Sequence, residues 1–464
     1  MRHASGALVL ALGACGGGGG GGNPGGGGGG GGGATPPTPL QGVYLQPSEG
    51  EDGGGFGYST AVSQDGSTMV VSASALHVFV RSGDTWMLQA KFRANSPAVT
   101  HHSGDAISLS ADGNTLAVGR SGDDTDASDS GAVYVFSRTD GQWSQQDYLK
   151  ASNVDVDDGF GGAVALSGDG LYLAVGATGE DSAARTVNGD QGNDSQVGTD
   201  SGAAYVFERL GSTWVQRVYV KGSGSFKSGF FGIAVALSSD GSTLAVGGVQ
   251  ELKPGEPRTG ATYVFIRSEA GWAEQARLFP SEFPDAARFG EGVALSADGN
   301  TLAVGAPNES GNPDTGVNDP RLEGALDDSG AAYVFVRSGT DWSQQGYLKS
   351  RHLDEDDRFG RSVSLSSDGS TLAVGAIFED SISTGLNGDD TDDTGNDVGA
   401  AYLFRRSGTT WSQTTYVKPL SDPLTDNLFG WSVSLTGDGQ HLLAGTASSQ
   451  ASGRRAHVYQ VSGK

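Results

Sequence analysis

Cysteine is nearly absent from the chain, since Cys15 is the single one among 464 residues. An intramolecular disulfide is therefore excluded, and burial and hydrogen bonding must hold the fold together. Basic residues are also scarce, with 29 Lys and Arg against 54 Asp and Glu, and the formal net charge is −25. This charge argues against nucleic acids and anionic membrane surfaces as partners, and it suits metal ions and basic proteins.

Recognisable catalytic motifs are missing as well. The seven histidines show no spacing typical of metal ligands or of a catalytic triad, and the sequence has no His-Glu-x-x-His, phosphate-binding loop or nucleophile elbow. Carboxylates are plentiful, but in loops without basic partners they lack the surroundings that tune a pKa for acid–base catalysis. We therefore expect a protein that is not an enzyme.

Long hydrophobic runs are absent from the N-terminal region. The apolar stretch from Ala7 to Leu12 is too short for a permanent transmembrane helix, so residues 1–14 are predicted to be a secretory signal peptide. Residues 15–40 are rich in Gly and Pro and bury nothing, which is typical of a flexible tether.

Leu12-Gly13-Ala14-Cys15 resembles the lipobox of bacterial lipoproteins, although the basic region before it holds a single Arg. The resemblance implies cleavage before Cys15 and lipidation of that residue, with an ordinary signal peptide and an incidental Cys as the alternative. Gly16 rather than Asp follows, which resembles the pattern that sorts lipoproteins to the outer membrane. Several acyl chains would anchor the protein stably in the bacterial cell envelope.

A stretch of 47 to 71 residues is repeated seven times and organises the rest of the chain. Phe-Gly opens six repeats, and Ser103-Gly104 opens the second. Nine residues after each start stands an Asp-Gly, namely at Asp65, Asp112, Asp169, Asp240, Asp298, Asp368 and Asp438. A fixed period of this length indicates a repeat architecture that folds as one unit.

Each full repeat contains four short apolar runs separated by turn signals. Asp-Gly between two such runs is typical of a tight hairpin, because the turn needs positive φ. Both faces of the first three runs are apolar, so seven four-stranded antiparallel sheets must pack face to face, and we predict an all-β, seven-bladed β-propeller over residues 41–464. Six tryptophans recur at the fourth strands and are predicted to be packing residues: Trp86, Trp143, Trp214, Trp272, Trp342 and Trp411.

The two ends of the chain favour a closed ring. The seventh repeat stops after its third strand, Ala456-His457-Val458-Tyr459-Gln460. Val43-Tyr44-Leu45-Gln46 matches the fourth-strand motif Tyr347-Leu348-Lys349. We therefore predict that the N-terminal strand completes the last blade, which leaves no exposed face between blades.

In these motifs the sequence resembles the FG-GAP repeat family, the seven-bladed propellers of integrin α-subunits and many bacterial surface proteins. The resemblance rests on the Phe-Gly starts at Phe56, Phe160, Phe231, Phe289, Phe359 and Phe429, on Val-Gly-Ala at several second-strand ends, and on Gly305-Ala306-Pro307. It implies the propeller fold and suggests adhesion, but the chain has no Arg-Gly-Asp and no companion domain.

The long insertions all follow second strands and should share one face of the ring. They are Arg120–Ser130, Thr178–Ser201, Pro307–Ser329 and Ile377–Val398. The loops that enter two of the first strands are acidic too, with Asp155, Asp157, Asp158, Asp354, Glu355, Asp356 and Asp357. One face is therefore predicted to be strongly acidic over blades 2, 3, 5 and 6, and long loops on a rigid scaffold are often functional.

The acidic loops also contain candidate calcium ligands, because Ca²⁺ prefers carboxylate and carbonyl oxygens from closely spaced positions. The candidates are Asp124, Asp126, Ser128, Asp190, Asp194, Asp389, Asp390, Asp392 and Asp393. None of these runs continues to the Gly and distal Glu of an EF-hand. The calcium loop of integrin propellers sits at the first hairpin, where this chain keeps only Asp-Gly. Solvated acidic loops are the alternative interpretation.

The function expected from the sequence is that of a non-catalytic, exported lipoprotein of the outer membrane. It would act as a monomer and bind a protein or a glycan through its acidic long-loop face, with the assistance of Ca²⁺. A purely structural envelope protein is one alternative, and a hydrolase or lyase on a propeller scaffold is another. His, Tyr and acid converging at the mouth of the central channel would favour the enzyme, and ordered acidic loops would favour binding.

Overall fold

The computed structural model describes residues 42–46, 55–95, 104–192, 199–251, 258–280, 287–311, 326–350, 352–421, 425–448 and 454–461. The predicted signal peptide (1–14), Cys15, the tether (15–40) and Asp194 lie outside the described residues. Within the described part, every regular element is a β-strand. No helix there is long and apolar enough to span a membrane.

The described strands form seven sheets of four antiparallel strands each, which confirms the predicted fold. In the first six blades, four consecutive strands pair in chain order. The strands are β1 Gly42–Leu45; β2 Thr60–Val62, β3 Thr68–Val71, β4 Leu76–Ser82 and β5 Thr85–Phe92 (blade 1); β6 Ala106–Leu109, β7 Thr115–Arg120, β8 Ala132–Thr139 and β9 Gln142–Leu149 (blade 2); β10 Ala163–Leu166, β11 Tyr172–Ala177, β12 Ala203–Leu210 and β13 Thr213–Val220 (blade 3); β14 Phe231–Leu237, β15 Thr243–Gly248, β16 Ala261–Ser268 and β17 Gly271–Leu278 (blade 4); β18 Gly292–Leu295, β19 Thr301–Ala306, β20 Ala331–Ser338 and β21 Asp341–Leu348 (blade 5); β22 Phe359–Leu365, β23 Thr371–Ala376, β24 Ala400–Ser407 and β25 Thr410–Val417 (blade 6); and β26 Ser432–Leu435, β27 His441–Gly445 and β28 Ala456–Gln460 (blade 7).

The first strands of the blades contact one another in a closed cycle, β2–β6–β10–β14–β18–β22–β26 and back to β2. They are therefore the innermost strands and surround the central channel of the propeller. Blade 7 is completed by β1, which pairs antiparallel with β28 from Gly42 opposite Tyr459 to Leu45 opposite Ala456. The predicted closure of the ring by the N-terminal strand is confirmed.

The Phe-Gly starts join each blade to the one before it. Phe359 is fully buried and forms an isolated parallel bridge with Gly330, which precedes the third strand of blade 5. The next residue, Gly360, has a φ of +98° and packs against Gly305, where a Cβ would lie 1.9 Å from the Gly360 carbonyl oxygen. Two glycines are needed because the backbones of neighbouring blades touch there. The Phe-Gly and Val-Gly motifs are thus two halves of one contact.

The Asp-Gly hairpins are closed by their own side chains. Asp240 Oδ1 accepts hydrogen bonds from the Ser238 hydroxyl (2.7 Å) and from the Ser242 N–H (2.9 Å), and the Ser238 oxygen accepts the Thr243 N–H (2.9 Å). Burial opposes ionisation of Asp240, but these hydrogen bonds outweigh it and hold the pKa of its carboxyl below the usual value. The Asp-Gly hairpins and the third-to-fourth-strand turns end the blades on one side of the ring, here named the short-hairpin face.

The recurring tryptophans pack between blades, as predicted. Trp86, Trp214 and Trp411 are buried in inter-blade clusters. Trp143 and Trp342 are partly buried against such clusters, and their indole N–H groups donate to glutamines on the fourth strand of the preceding blade. The apolar body of each indole fills the inter-blade space while its polar edge finds a partner.

Candidate functional site: the acidic long-loop face

The other side of the ring is the long-loop face. It carries the loops from second to third strands and the loops that enter the first strands. Loops 121–130 and 377–398 are described throughout, and 178–201 and 307–329 are described in part. A charged residue at the base of each loop fixes where the loop leaves the sheet.

A buried ion pair lies at the base of loop 178–201 in blade 3. Glu180 accepts hydrogen bonds from the Tyr219 hydroxyl (2.7 Å) and from the Lys221 ammonium (2.6 Å). Lys221 also donates to the Ser201 hydroxyl and to the Gly202 carbonyl at the far end of the loop. Glu180 and Lys221 are both fully buried, so a charge left without its partner would be strongly unfavourable. This network ties the two ends of the loop to the fourth strand.

The same buried pair recurs in blades 5 and 6. Lys349 lies 2.9 Å from Glu309, which also accepts from Tyr347, and Lys418 pairs with Glu379, which accepts from Tyr416. Burial lowers the pKa of Lys349 and of Lys418, although the adjacent glutamates oppose the shift. Blade 4 replaces the pair with Glu251 and Arg277, 3.3 Å apart.

Sequence reasoning missed these anchors, although the sequence holds a signal for them. An acid stands four residues after the glycine of the second strand at Asp123, Glu180, Glu251, Glu309 and Glu379, and Tyr-x-Lys ends four of the fourth strands. About 40 residues separate the partners, so only the fold shows that they meet.

Two loops that enter first strands bury a carboxyl group. Asp158 and Asp357 each stand two residues before the Phe of a Phe-Gly start and are 2% and 3% exposed. Each side chain accepts one backbone N–H at 2.8 Å, from Asp155 and Asp354 respectively. Burial raises the pKa of Asp158 to about 7 and that of Asp357 to about 8, and neighbouring carboxylates add to the effect. Burial therefore holds a proton on Asp357 at neutral pH.

Two Asn-Gly-Asp motifs attach long loops to fourth strands. Asn387 donates its N–H to the Tyr416 carbonyl (2.8 Å), and its side-chain oxygen accepts the Tyr416 N–H (3.0 Å). Asn188 makes the same two bonds to Tyr219, at the same distances. Both asparagines have φ near +53°, a conformation that Asn tolerates well. The loops therefore cover part of the exposed edge of each outer strand.

A family model described as FG-GAP repeat matches the chain over residues 86–136, 143–207, 272–335 and 342–404. The matched segments together cover just over half of the sequence, and each runs from a fourth-strand Trp to a third-strand Phe of the next blade. The chain belongs to the FG-GAP repeat family. Each matched unit spans the boundary between two blades, and three of the four contain a Phe-Gly start of this FG-GAP protein, while the first contains Ser103-Gly104.

Comparison with solved structures supports the fold of this FG-GAP propeller. The β-propeller domain of Cps50 (Swd1) from Myceliophteria thermophila superposes with a TM-score of 0.54 at 10% identity, covering 91% of this chain and 100% of that one. At this identity the likeness concerns architecture alone. No curated protein sequence matches the chain.

The candidate calcium ligands of the FG-GAP protein lie in three separate blades. Asp124 and Asp126 belong to the blade 2 loop, where Asp124 accepts the Asp129 N–H (2.8 Å) and Asp126 lies 3.6 Å from Lys150. The Ser128 carbonyl of that loop accepts the Asp157 N–H. In blade 3, Asp190 accepts the Gly192 N–H. Asp124 and Asp190 are thus bonded within their own loops, and Asp126 is paired with a lysine that follows the fourth strand of blade 2.

The remaining candidates form an acidic cluster in blade 6. Asp389 and Asp392 accept both the N–H and the hydroxyl of a threonine two residues further on. Asp390 lies 3.9 Å from His352, and partial burial beside Asp354 raises the pKa of Asp393. In the part of the chain that the structure describes, no three His, Cys, Asp or Glu side chains are placed to hold a metal ion together. Calcium binding stays a prediction for these loops.

A third group of residues surrounds the mouth of the central channel on the long-loop face. The residue after each Phe-Gly lies at or near the N-terminal end of an innermost strand, and four of these residues form a continuous series. The Tyr58 and Trp431 rings lie 5.3 Å apart, the Arg361 guanidinium lies 4.6 Å above the Trp431 ring, and Arg361 lies 3.8 Å from Glu291. Asp105 follows Tyr58 in the next blade. Sequence reasoning did not single out these residues.

Proposed function

We propose that this FG-GAP propeller is a non-catalytic binding protein of the bacterial cell envelope, which recognises a protein or a glycan through its long-loop face. The observation that carries the proposal is the fixed conformation of the acidic loops at their bases. Three repeated networks of Lys, Glu and Tyr, together with the hydrogen bonds of Asn188 and Asn387 to fourth strands, hold the loops against the rigid blades. Preorganised loops favour binding, because less conformational freedom is lost when a partner binds.

The distribution of titratable groups supports binding over catalysis. Tyr58, Asp105 and Glu291 converge at the channel mouth, but the described histidines lie elsewhere. His77 and His457 are buried between blades, and His441 lies near the short-hairpin face. His352 lies on the long-loop face, but in the exposed loop that enters blade 6, 3.9 Å from Asp390. The described part of the mouth therefore offers no imidazole for proton transfer near neutral pH.

A charge-neutralisation experiment tests the role of the long-loop face. Asp157→Asn, Glu355→Gln and Asp356→Asn together remove three exposed carboxylates from this face without changing side-chain shape. The matched control removes three exposed carboxylates from the short-hairpin face by Asp84→Asn, Asp140→Asn and Glu269→Gln. Both proteins and the parent are applied to arrays of surface glycans and extracellular peptides.

The proposed function requires binding that the long-loop variant weakens and the short-hairpin variant retains. Such a difference follows from the position of the removed charges, since both variants gain the same net charge. Equal losses in the two variants would indicate non-specific charge attraction. Absence of any bound ligand on either array would leave the structural role in the envelope as the better account.

Attachment to the membrane is a separate part of the proposal. We propose that lipidated Cys15 anchors the chain in the outer membrane. The intact mass of the exported protein should correspond to cleavage before Cys15 with added acyl chains, and Cys15→Ser should release the protein from membrane fractions. Retention of that variant in the membrane would refute the anchor.

Thermal unfolding with Ca²⁺, with Mg²⁺ and with chelator tests the calcium prediction. A ligand that binds only the folded state adds about 2.7 kcal/mol of stability at a hundredfold excess over its Kd. A rise with Ca²⁺ that Mg²⁺ does not match, and that Asp389→Asn with Asp392→Asn abolishes, would establish a metal site in blade 6. No change at millimolar Ca²⁺ would remove calcium from the proposed function.

A further inference from the structure

One position varies in every repeat while its neighbours stay nearly constant. It follows the Phe-Gly pair, whose packing between blades fixes both residues. The occupants in blade order are Tyr58, Asp105, Gly162, Ile233, Glu291, Arg361 and Trp431. Seven different residues in a repeated frame mean that the packing between blades does not dictate the residue at this position.

The variable positions lie together in the folded protein. Each lies at or near the N-terminal end of an innermost strand, and the seven innermost strands form a closed cycle around the channel. The residues of blades 5, 6, 7, 1 and 2 form the channel-mouth arc: Glu291, Arg361, Trp431, Tyr58 and Asp105. Blades 3 and 4 contribute only Gly162 and Ile233, so the polar and aromatic groups are concentrated on one side of the mouth.

Neighbouring residues hold the channel-mouth arc in place. Arg288 donates two hydrogen bonds to Glu291 (2.6 and 2.9 Å), and Asp105 accepts the N–H and the hydroxyl of Ser121 (2.8 and 2.7 Å). The Arg361 guanidinium lies over the Trp431 ring and 3.8 Å from Glu291, and because a guanidinium carries five N–H groups it can donate to a ligand while it pairs with Glu291. Tyr58 is 40% exposed. Groups held in this way bind a ligand with little loss of side-chain freedom.

The charges of the arc point to a neutral ligand. Arg361 and Arg288 offset Glu291 and Asp105 at the mouth. The position over the Trp431 ring, where a cationic ligand would gain most, is already filled by Arg361. What remains is an exposed aromatic edge beside both hydrogen-bond donors and acceptors. A ring with an apolar face and a rim of hydroxyl groups matches this combination, since aromatic side chains present an apolar body and Tyr a polar tip.

We propose that the channel-mouth arc is a binding subsite for a neutral sugar ring of a glycan. The exposed Tyr58 ring, and the part of the Trp431 ring that Arg361 and Tyr58 leave uncovered, pack against the apolar face of the sugar. Arg361 donates to its hydroxyl oxygens, and Asp105 accepts from its hydroxyl groups. This inference rests on the proposed function and specifies one ligand class for the same face. It adds a central subsite to the acidic loops that surround the mouth.

A printed array of neutral and acidic oligosaccharides tests the subsite, with the full-length protein in mild detergent. The tightest-binding neutral oligosaccharide is then titrated calorimetrically. Trp431→Leu and Tyr58→Leu should each weaken its binding by roughly tenfold or more, because each removes an aromatic surface from the sugar. Trp143→Leu is the matched control, since Trp143 is also half-buried beneath an arginine, Arg138, but belongs to a fourth strand near the short-hairpin face. It should change the affinity less than twofold.

A second measurement needs no variant. Acrylamide quenching of tryptophan fluorescence in the parent protein should decrease when the sugar is bound, because the sugar shields Trp431. If Trp431→Leu fails to fold, the quenching measurement and the affinity of Tyr58→Leu still test whether the sugar binds at the channel-mouth arc.

The outcomes separate this inference from the proposed function. Glycan binding that the long-loop charge variant weakens but the arc variants leave unchanged would overturn the subsite and preserve the function of the face. Binding of basic peptides alone, lost in the arc variants, would also overturn it, because the arc would then select cations. If no neutral oligosaccharide binds at all, the subsite is refuted whether or not the face binds proteins.

Discussion

Replacing the buried Asp357 by Asn should make the protein more stable at neutral pH and leave it nearly unchanged in mild acid. Burial raises the pKa of Asp357 to about 8, and Glu379, Asp354 and Asp380 add to the effect. In the unfolded chain the same carboxyl has a pKa of about 3.9. The folded state therefore keeps a proton that the unfolded state releases, and stability falls as the pH rises from about 4 to about 8.

The size of the effect follows from this window. Each pH unit inside it lowers the free energy of unfolding by about 1.4 kcal/mol, so the upper limit between pH 5 and pH 7.5 is about 3 kcal/mol. Local relaxation and water entry reduce this to about 2 kcal/mol. Asn carries no titratable proton, so Asp357→Asn should gain this amount on the parent over the interval. Blade 7 already has Asn427, also buried, at the equivalent position two residues before its Phe.

Urea unfolding of the parent and of Asp357→Asn at a series of pH values measures the difference directly. Titration of other groups, including the buried His457, cancels when the two curves are subtracted. Asp356→Asn is the matched control, because Asp356 is exposed in the same loop and has a φ of +70°, which Asn also tolerates. The control should show no pH-dependent difference. Parallel curves for Asp357→Asn and the parent would refute the reasoning, since Asp357 would then be ionised in the folded state and paired with a cation.

Three further predictions concern the ring itself. Gly305→Ala places a Cβ against the backbone of the next blade and should lower the free energy of unfolding by about 3 kcal/mol. The control Gly339→Ala, which lies in open space at a positive φ, should lower it by about 1 kcal/mol. Equal losses of the two variants in urea unfolding would contradict the inter-blade contact. Lys418→Met leaves Glu379 buried without its partner and should lower the free energy of unfolding by about 3–5 kcal/mol. The double variant that also carries Glu379→Gln should recover most of this loss in the same assay. Additive losses would show that the two charges do not interact. A chain that begins at Gln46 lacks β1 and leaves the edge of β28 unpaired, so it should melt at a lower temperature and aggregate in size-exclusion chromatography. A chain that begins at Leu40 keeps β1 and should remain monomeric. Identical behaviour of the two chains would contradict closure of the ring by β1.

The fold was predictable because its signals are local and repeated. Asp-Gly at a fixed distance from Phe-Gly identifies each first hairpin, and both motifs recur in every blade with the one exception at Ser103-Gly104. The last repeat supplies only three strands, and the N-terminal run Val43-Tyr44-Leu45 matches a fourth strand. The sequence therefore predicted that this run pairs with the third strand of blade 7. Apolar residues occupy both faces of the first three strands, so each sheet needs a neighbouring sheet on either side. A closed ring of sheets meets this requirement for every blade.

The candidate site was less predictable because its contacts join distant parts of the chain. Asn387 and Asp389 belong to a pattern that suggests calcium, yet Asn387 bonds to Tyr416, 29 residues further on. The pairing of Glu180 with Lys221 likewise depends on two strands and a loop between them. Trp431 was obscured by the six structural tryptophans, although it is the one that departs from their register. A comparison of the repeats position by position reveals it.

The pairing of β1 with β28 also fixes the side of the propeller at which the N-terminal strand joins the ring. Gly42 lies opposite Tyr459, close to the end of a third strand, so the chain enters the ring at its rim on the short-hairpin side. If Cys15 is lipidated as proposed, the membrane would be attached through this side of the ring. The surface with the acidic loops and the channel mouth would then lie on the side opposite the point of attachment, so the strand that closes the ring would also leave the proposed binding face accessible.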